Sequence, residues 1–254
     1  MKKLITLTLL LVLGCTFSLT AQDLGHRSIV KTDLKAYVPV NFNVISSINL
    51  NYEFKINKKF STGIVGGSLI ERTLELGAAG TAGSGEKLAY KGEITPTGYF
   101  LNPYFRMYTK ETFNGFYVEV FARHYNYDFL IPYDYDKSGG TIVANAVANA
   151  KAYGGGLVIG NQFQFGKMFV LDIYAGAGMG VGNAHAETND PNLDAQDFQD
   201  IKQEMADLED VEIALVGKAI NNMTYGANST SAWADVNNYA IPMLRAGVAF
   251  GVMF

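Results

Sequence analysis

The fold is decided by the stretch Met243-Leu244-Arg245-Ala246-Gly247-Val248-Ala249-Phe250-Gly251-Val252-Met253-Phe254. Successive side chains of a strand point to opposite faces, so every second residue back from Phe254 shares one face. That face is continuously apolar, whereas the other face, which holds Arg245, consists mainly of small or charged residues. The bulky face of a soluble sandwich is buried, but a narrow membrane barrel carries its apolar face outside. The stretch therefore predicts a transmembrane strand.

The composition agrees with a β-rich chain. The 254 residues include 27 glycines, 15 tyrosines and 16 phenylalanines, which favours strands. The formal net charge of -4 is small, and no basic run occurs beyond the N-terminus, so a nucleic acid partner is excluded. Beyond the first segment, no apolar run reaches the ~18 residues of a transmembrane helix. Any membrane span is therefore expected to consist of strands.

The first segment, residues 1–21, has the layout of a secretory signal peptide. Two lysines precede the apolar run Leu4–Leu13, and small and polar residues follow it. The mature chain is then 22–254, and it has no thiol because the single cysteine, Cys15, leaves with the signal. A second interpretation stays open, in which Val12-Leu13-Gly14-Cys15 is a lipobox and Cys15 is lipidated.

Seven further segments alternate between apolar and polar residues in the same way. They are Ser28–Val38, Ser47–Ile56, Phe60–Ile70, Thr97–Tyr108, Phe116–Phe129, Lys151–Phe165 and Phe169–Val181. The connections at Asn57, Lys110 and Gly166 are short, whereas Gly77–Gly92, Ile131–Asn149 and 186–236 are predicted as long loops. These features predict an all-β, eight-stranded antiparallel up-and-down transmembrane β-barrel with both termini in the periplasm. A soluble barrel would have its oily face inside, where so many phenylalanines do not fit.

The inward faces of these strands carry charges of both signs. They are Lys31, Asp33, Lys35, Glu53, Arg106, Glu119, Arg123, Asp172 and Arg245. Because an unpaired buried charge is costly, we expect an ion-pair network that plugs the lumen. The alternative is a narrow channel for ions or small solutes. Side chains normally fill an eight-stranded lumen, which favours the plug.

Candidate catalytic chemistry is sparse. His124 lies on an outward face near the long-loop end of its strand, where some outer-membrane lipid A hydrolases carry a catalytic histidine, but no serine accompanies it in this strand. We therefore prefer to interpret His124 as a polar residue at the membrane interface. An outer-leaflet lipid-modifying enzyme is kept as the alternative function. His26 and His185 lack partners at ligand spacing, and 190–194 imitates a calcium loop without its glycine or closing glutamate. We predict no catalytic residue, no metal and no cofactor.

The last long loop, 186–236, is acidic and contains a helical pattern. Asp194 is the predicted N-cap of a helix over 195–216, because apolar residues recur after it at spacings of three and four. This apolar stripe includes Phe198, Ile201, Met205 and Leu208. It either packs over the barrel mouth or forms an extracellular docking surface for a protein partner or lipopolysaccharide.

Several motifs resemble an uncharacterised family of small outer-membrane β-barrel proteins of Gram-negative bacteria. They are Lys31-Thr32-Asp33-Leu34, Ile48-Asn49-Leu50-Asn51-Tyr52-Glu53-Phe54, Gly115-Phe116-Tyr117-Val118 and Tyr153-Gly154-Gly155-Gly156-Leu157-Val158-Ile159-Gly160. The resemblance implies a structural or surface-interaction role in the outer membrane, in contact with its lipid and lipopolysaccharide. The ending on Phe254 resembles the signal that the barrel assembly machinery reads. The family has no assigned chemistry, so the resemblance supplies no catalytic residue.

Overall fold

The computed structural model describes residues 26–34, 47–71, 73–81, 87–137, 140–207, 212–213 and 223–254. These residues form an antiparallel sheet and one short helix, so the predicted all-β fold with a helix near the end of the chain is confirmed. The predicted signal peptide at 1–21, together with Lys35 and Leu208, lies outside the described residues. Within the described part of the chain, no helix has the length and apolar content needed to cross a membrane.

The described elements follow one another in this order: β1 (Ser28–Asp33), β2 (Ser47–Lys55), β3 (Phe60–Leu69), β4 (Leu74–Thr81), β5 (Lys87–Tyr108), β6 (Gly115–Lys137), β7 (Gly140–Phe165), β8 (Phe169–Thr188), α1 (Ala195–Asp207), β9 (Glu212–Ile213), β10 (Met223–Ala227) and β11 (Ala232–Met253).

Antiparallel pairings link most of the strands into a ring of hydrogen bonds. The order around the ring is β1, β2, β3, β5, β6, β7, β8 and β11, and β11 pairs with β1. The closing pair aligns Ile29 with Met253, and the amide of Phe254 donates to the carbonyl of Ser28 at 2.9 Å. The predicted pairing of the last strand with the first is therefore confirmed. Outside the ring, β4 pairs with the first part of β5, β9 pairs with β4, and β10 pairs with β11.

The faces of the ring have the reverse of the polarity of a water-soluble protein. On β2, Asn49, Asn51 and Glu53 are buried, whereas Leu50 and Phe54, which alternate with them, are exposed. The same alternation continues around the ring, because the strand period of two places every second residue inside. The interior of the ring therefore holds the buried charged groups, together with an aromatic and apolar cluster that includes Phe100, Phe121 and Met243, and the outer face of the ring is apolar.

Two predicted loops are wrong, because the strands continue through them. β4 and β5 pair across the described part of Gly77–Gly92, and β6 and β7 form a long hairpin that includes all described residues of Ile131–Asn149. These segments mix small, polar and aromatic residues on both faces, so they lack the alternation that predicts a strand. Their backbones nevertheless pair in register, and their tyrosines favour strands. Likewise, the predicted loop 186–236 is shorter at both ends, because β8 and β11 extend into it.

The predicted helix 195–216 is also too long. The described helix is Ala195–Asp207, and Glu212–Ile213, which lie within the predicted range, pair with Gly80 and Thr81 of β4 as a strand. Ile213 is β-branched and meets an open strand edge, which favours pairing.

Candidate functional site

The candidate site is a cluster of six charged side chains inside the ring, which we call the ion-pair cluster. Its members are Lys31, Glu53, Arg106, Glu119, Asp172 and Arg245. Five of these side chains are 0% exposed and that of Arg245 is 5% exposed. Three cations face three anions, so the cluster is electrically balanced. Such balance is what a buried charged group requires, because an uncompensated charge in a low dielectric is costly.

Arg106 is the centre of the ion-pair cluster. Its Nε donates to Glu119 at 2.7 Å, and its Nη1 donates to Asp172 at 2.8 Å and to Glu53 at 3.1 Å. Lys31 donates to the same two carboxylates, Glu53 at 2.5 Å and Asp172 at 2.8 Å. Arg245 binds the other oxygen of Glu119 through its Nη1. One arginine therefore joins carboxylates from three different strands.

Two uncharged side chains complete the ion-pair cluster so that every strand of the ring contributes one polar residue. Ser61 of β3 donates to Glu53 at 2.5 Å, and the Oε1 atom of Gln162 of β7 accepts from Lys31 and Arg106, each at 3.1 Å. A strand that slipped by two residues would move its polar group by ~7 Å. The cluster therefore fixes the register of the whole ring.

Three tyrosines enclose the ion-pair cluster, and neither they nor Ser61 and Gln162 were singled out as site residues from the sequence. The hydroxyls of Tyr108 and Tyr117 donate to Glu53 and Asp172, each at 2.7 Å. The guanidinium of Arg106 lies 4.7 Å from the ring centroid of Tyr104 and 4.0 Å from that of Tyr117. In the sequence, the only indication that these five residues belong to the site was their position on the inward face of strands with alternating polarity.

Glycines make room for two of these tyrosines. A Cβ atom at Gly63 would lie 2.5 Å from the Tyr104 hydroxyl, and one at Gly160 would overlap the Tyr117 ring. These two glycines are thus explained by large side chains that reach across a narrow interior. Among the described residues, Arg106 Nη2 and Gln162 Nε2 are buried without a hydrogen-bond partner.

The structure does not bring Asp33 and Arg123 into the ion-pair cluster. Asp33 accepts hydrogen bonds from Asn49 at 2.7 Å and from the hydroxyl of Tyr174 at 2.9 Å. Arg123 donates from Nε to Asn102 at 2.9 Å. Neither forms an ion pair with any described residue. Both line a cavity of about 210 Å³ inside the ring, which Arg245 also lines.

His124 lies on the outward face, between aromatic rings. Its ring stacks on Tyr153 at 5.6 Å, lies edge-on to Tyr99 at 6.1 Å, and has Nδ1 3.2 Å from the carbonyl oxygen of Ala152. No carboxylate or hydroxyl group of the described residues hydrogen-bonds it. In 26–34, 47–71, 73–81 and the later described ranges, no three His, Cys, Asp or Glu residues are grouped to hold a metal ion.

Phe198 and Ile201, two residues of the apolar stripe of α1, are buried, which favours packing of the stripe onto this chain over a docking surface. Phe198 is 2% and Ile201 is 6% exposed, and both pack with Tyr135 of β6 and Ala144 of β7, while Met205 packs against the same cluster. The two residues are covered because β6 and β7 extend far enough to meet the helix. The stripe is therefore an internal contact of this chain.

The N-terminus of α1 is held to the β6–β7 hairpin by charge. Asp194 caps the helix as predicted, since its Oδ1 accepts from the amides of Gln196 at 2.9 Å and Asp197 at 3.2 Å. Lys137 donates to Asp194 at 2.9 Å and to Asp197 at 2.5 Å. Its hydrogen bonds hold the pKa of both carboxyls below the usual range. Beside them, burial raises the pKa of Tyr135 to about 12.

Comparison with known proteins gives a family. The searches of the curated proteins and of the solved structures found no match. Residues 7–215 match the family described as "Protein of unknown function (DUF3575)". That match includes all members of the ion-pair cluster except Arg245, and it agrees with the expected membership of an uncharacterised family. Since it covers most of the sequence, the chain belongs to the DUF3575 family.

Proposed function

We propose that the protein is an eight-stranded β-barrel of the Gram-negative outer membrane, with a structural or surface-interaction role and a lumen closed by the ion-pair cluster. The observation that carries the proposal is the inverted polarity of the ring, with charged groups buried inside and large apolar groups exposed outside. Lipid solvates an apolar outer face, whereas water does not. The ring of pairings also leaves few open strand edges, as a span without water requires.

The exposed apolar surface is extensive. Leu157 is 58% exposed, and large apolar residues on all the long strands of the ring share its environment. They include Leu50, Phe54, Ile64, Leu101, Phe105, Phe116, Val120, Tyr153, Ile159, Phe163, Phe169, Ile173, Met179, Leu244 and Phe250. Contiguous apolar patches above a few hundred Å² are rare on soluble monomers and indicate contact with a membrane or partner. A band around the entire ring favours a membrane.

The spacing of two outward-facing aromatic residues on β7 fits a bilayer, and the outward-facing Val143 and Val147 lie beyond that span. On β7, Tyr153 and Phe163 are outward-facing and ten positions apart, which is ~34 Å along the strand and ~26 Å along the axis of a barrel with strands tilted by ~40°. Aromatic pairs lie near the short turns, where Phe60 stacks on Phe105 at 5.5 Å. At the other end, Tyr99 and Tyr153 flank His124. Aromatic residues at both ends are typical of the two interfaces of a membrane barrel.

The ion-pair cluster favours a structural role over conduction. Each charged side chain of the cluster is tied to a partner across the ring, so an ion crossing it would have to break several charge-assisted hydrogen bonds. Beyond the proposed membrane band, β6, β7, β8 and β11 extend as paired strands that carry α1. These extensions would contact lipopolysaccharide or a protein partner. Phe254, at the short-turn end, would be read by the barrel assembly machinery.

A matched pair of substitutions on one strand tests the membrane proposal. Ile159 and Val143 are 56% and 61% exposed on β7, so in water either change to arginine alters stability by no more than ~0.5 kcal/mol. In a bilayer, Ile159 lies within the band and Val143 beyond it. We expect Ile159→Arg to lower the free energy of unfolding in lipid vesicles by ~2–4 kcal/mol and Val143→Arg to leave it nearly unchanged.

Fractionation of cells gives an independent measurement. The full-length protein is expected in the outer-membrane fraction, with a migration on gels that changes on heating. Equal tolerance of Ile159→Arg and Val143→Arg, with the protein in the soluble fraction, would contradict the proposal.

A further inference from the structure

The cavity beside the ion-pair cluster has the features of a binding site. It has a volume of about 210 Å³ and lies inside the ring, where Arg123 and Arg245 face one carboxylate, Asp33. Drug-sized ligands usually occupy ~300–1,000 Å³, so this cavity suits a smaller molecule. The lining of the cavity has one positive charge without a carboxylate partner. Arg245 is paired with Glu119 of the cluster, whereas Arg123 has no ion-pair partner among the described carboxylates.

The guanidinium of Arg123 is only partly used by the protein. Nε donates to the Asn102 side chain at 2.9 Å and Nη1 to the carbonyl of Leu244 at 3.3 Å, both uncharged acceptors. No hydrogen bond joins its Nη2 to any residue in the described ranges. A guanidinium carries five N–H groups in a planar fork that matches a carboxylate. Among the described residues, Arg123 is thus positioned by uncharged acceptors and retains donors for a ligand.

The rest of the lining limits what the ligand can be. Phe100, Tyr127 and Tyr174 supply aromatic surface, and the Phe100 ring centroid lies 5.5 Å from the Arg123 guanidinium carbon. Asp33 is held by Asn49 and Tyr174, and its negative charge disfavours a ligand that carries two negative charges. The cavity therefore suits one negative charge attached to a compact apolar body.

We propose that this cavity binds the carboxylate of a small organic acid, with Arg123 as the residue that holds the carboxylate. The aromatic rings contact the body of the acid, and the ion-pair cluster forms the closed floor of the site. The site lies within the ring, so binding does not depend on whether the outer face contacts lipid. Failure of the membrane proposal and failure of this one are distinguishable.

Benzoate is the probe, and benzamide, which has the same shape and no charge, is its control. Binding to the full-length protein in a non-ionic detergent is measured by calorimetry and by relaxation of 19F in 4-fluorobenzoate. We expect saturable binding of one benzoate per chain and no saturable binding of benzamide. Arg123→Gln should weaken benzoate binding about tenfold or more, because it removes charge-assisted hydrogen bonds.

Two further variants separate the site from general effects. Ser47→Leu keeps all charges but fills the cavity that Ser47 lines, so it should abolish binding. Lys151→Gln removes a positive charge from the exposed outer face and should bind benzoate as the wild type does. Each variant is first shown to migrate as a folded species. Equal binding of benzamide, or unchanged benzoate binding by folded Arg123→Gln, would overturn the proposal, as would an equal loss in Lys151→Gln.

Discussion

Replacing Arg106 by methionine tests whether the ion-pair cluster stabilises the fold. The substitution keeps much of the side-chain volume and removes the charge that joins Glu53, Glu119 and Asp172. The remaining two cations then face three carboxylates that are fully buried. Removing one partner of a buried ion pair costs ~3–5 kcal/mol, because a charge is left uncompensated. Each lost charge-assisted bond is worth ~1.5–3 kcal/mol, but their energies are not additive, so we expect the same range.

The measurement is urea-induced unfolding, followed by the fluorescence of the single tryptophan, Trp233. Arg27→Met is the matched control, since Arg27 is exposed and its loss should change stability by no more than ~0.5 kcal/mol. The double variant Arg106→Met, Asp172→Asn removes one charge of each sign and should recover part of the loss. A destabilisation by Arg106→Met of less than ~1 kcal/mol would refute the argument, because the cluster would then tolerate an unbalanced charge.

Three more outcomes follow from the structure. Gly160→Val should destabilise the fold by ~1–3 kcal/mol in the same urea titration, since the new side chain would overlap the Tyr117 ring. Gly66→Val should destabilise it less, because a Cβ atom at Gly66 meets only a leucine methyl at 3.3 Å. The hydrogen bond from Lys137 lowers the pKa of Asp197 below its ordinary value of 3.8. The contact between Lys137 and Asp197 therefore stabilises α1 above pH 3.8, and this stabilisation is lost as the pH falls through the lowered pKa. Hydrogen exchange should show this loss in wild type, while Lys137→Met should have lower protection at neutral pH and a weaker pH dependence. In planar bilayers the wild-type protein should conduct no resolvable current, and regular single-channel steps would contradict a plugged lumen.

The alternation of apolar and polar residues in the sequence was sufficient to assign the charged residues to the inward faces of the strands. Glu53 and Arg245 have oily neighbours on either side in the chain, so the strand period puts them on the opposite face from those neighbours. Which charged residues form ion pairs with one another could not be predicted from this alternation. Arg106 meets Asp172 across the ring only because several strand registers combine, and no single strand encodes that sum.

The extended hairpins were missed for a related reason. Tyr135 and Ala144 lie in a stretch without alternation of oily and polar residues, so no strand was predicted there. Without that hairpin, the stripe at Phe198 and Ile201 had no visible surface to cover it and was open to interpretation as a docking surface. The missed hairpin therefore left both interpretations of the stripe open.

The contact between β1 and β11 has a consequence for biogenesis. It joins strands from opposite ends of the described chain, so the ring stays open along two edges until the final strand is present. A chain that ended before Ala232 would leave the hydrogen-bonding groups of β1 and β8 unpaired beside an oily surface. Open edges of that kind pair with other chains and aggregate. Nascent chains therefore need protection from one another until closure.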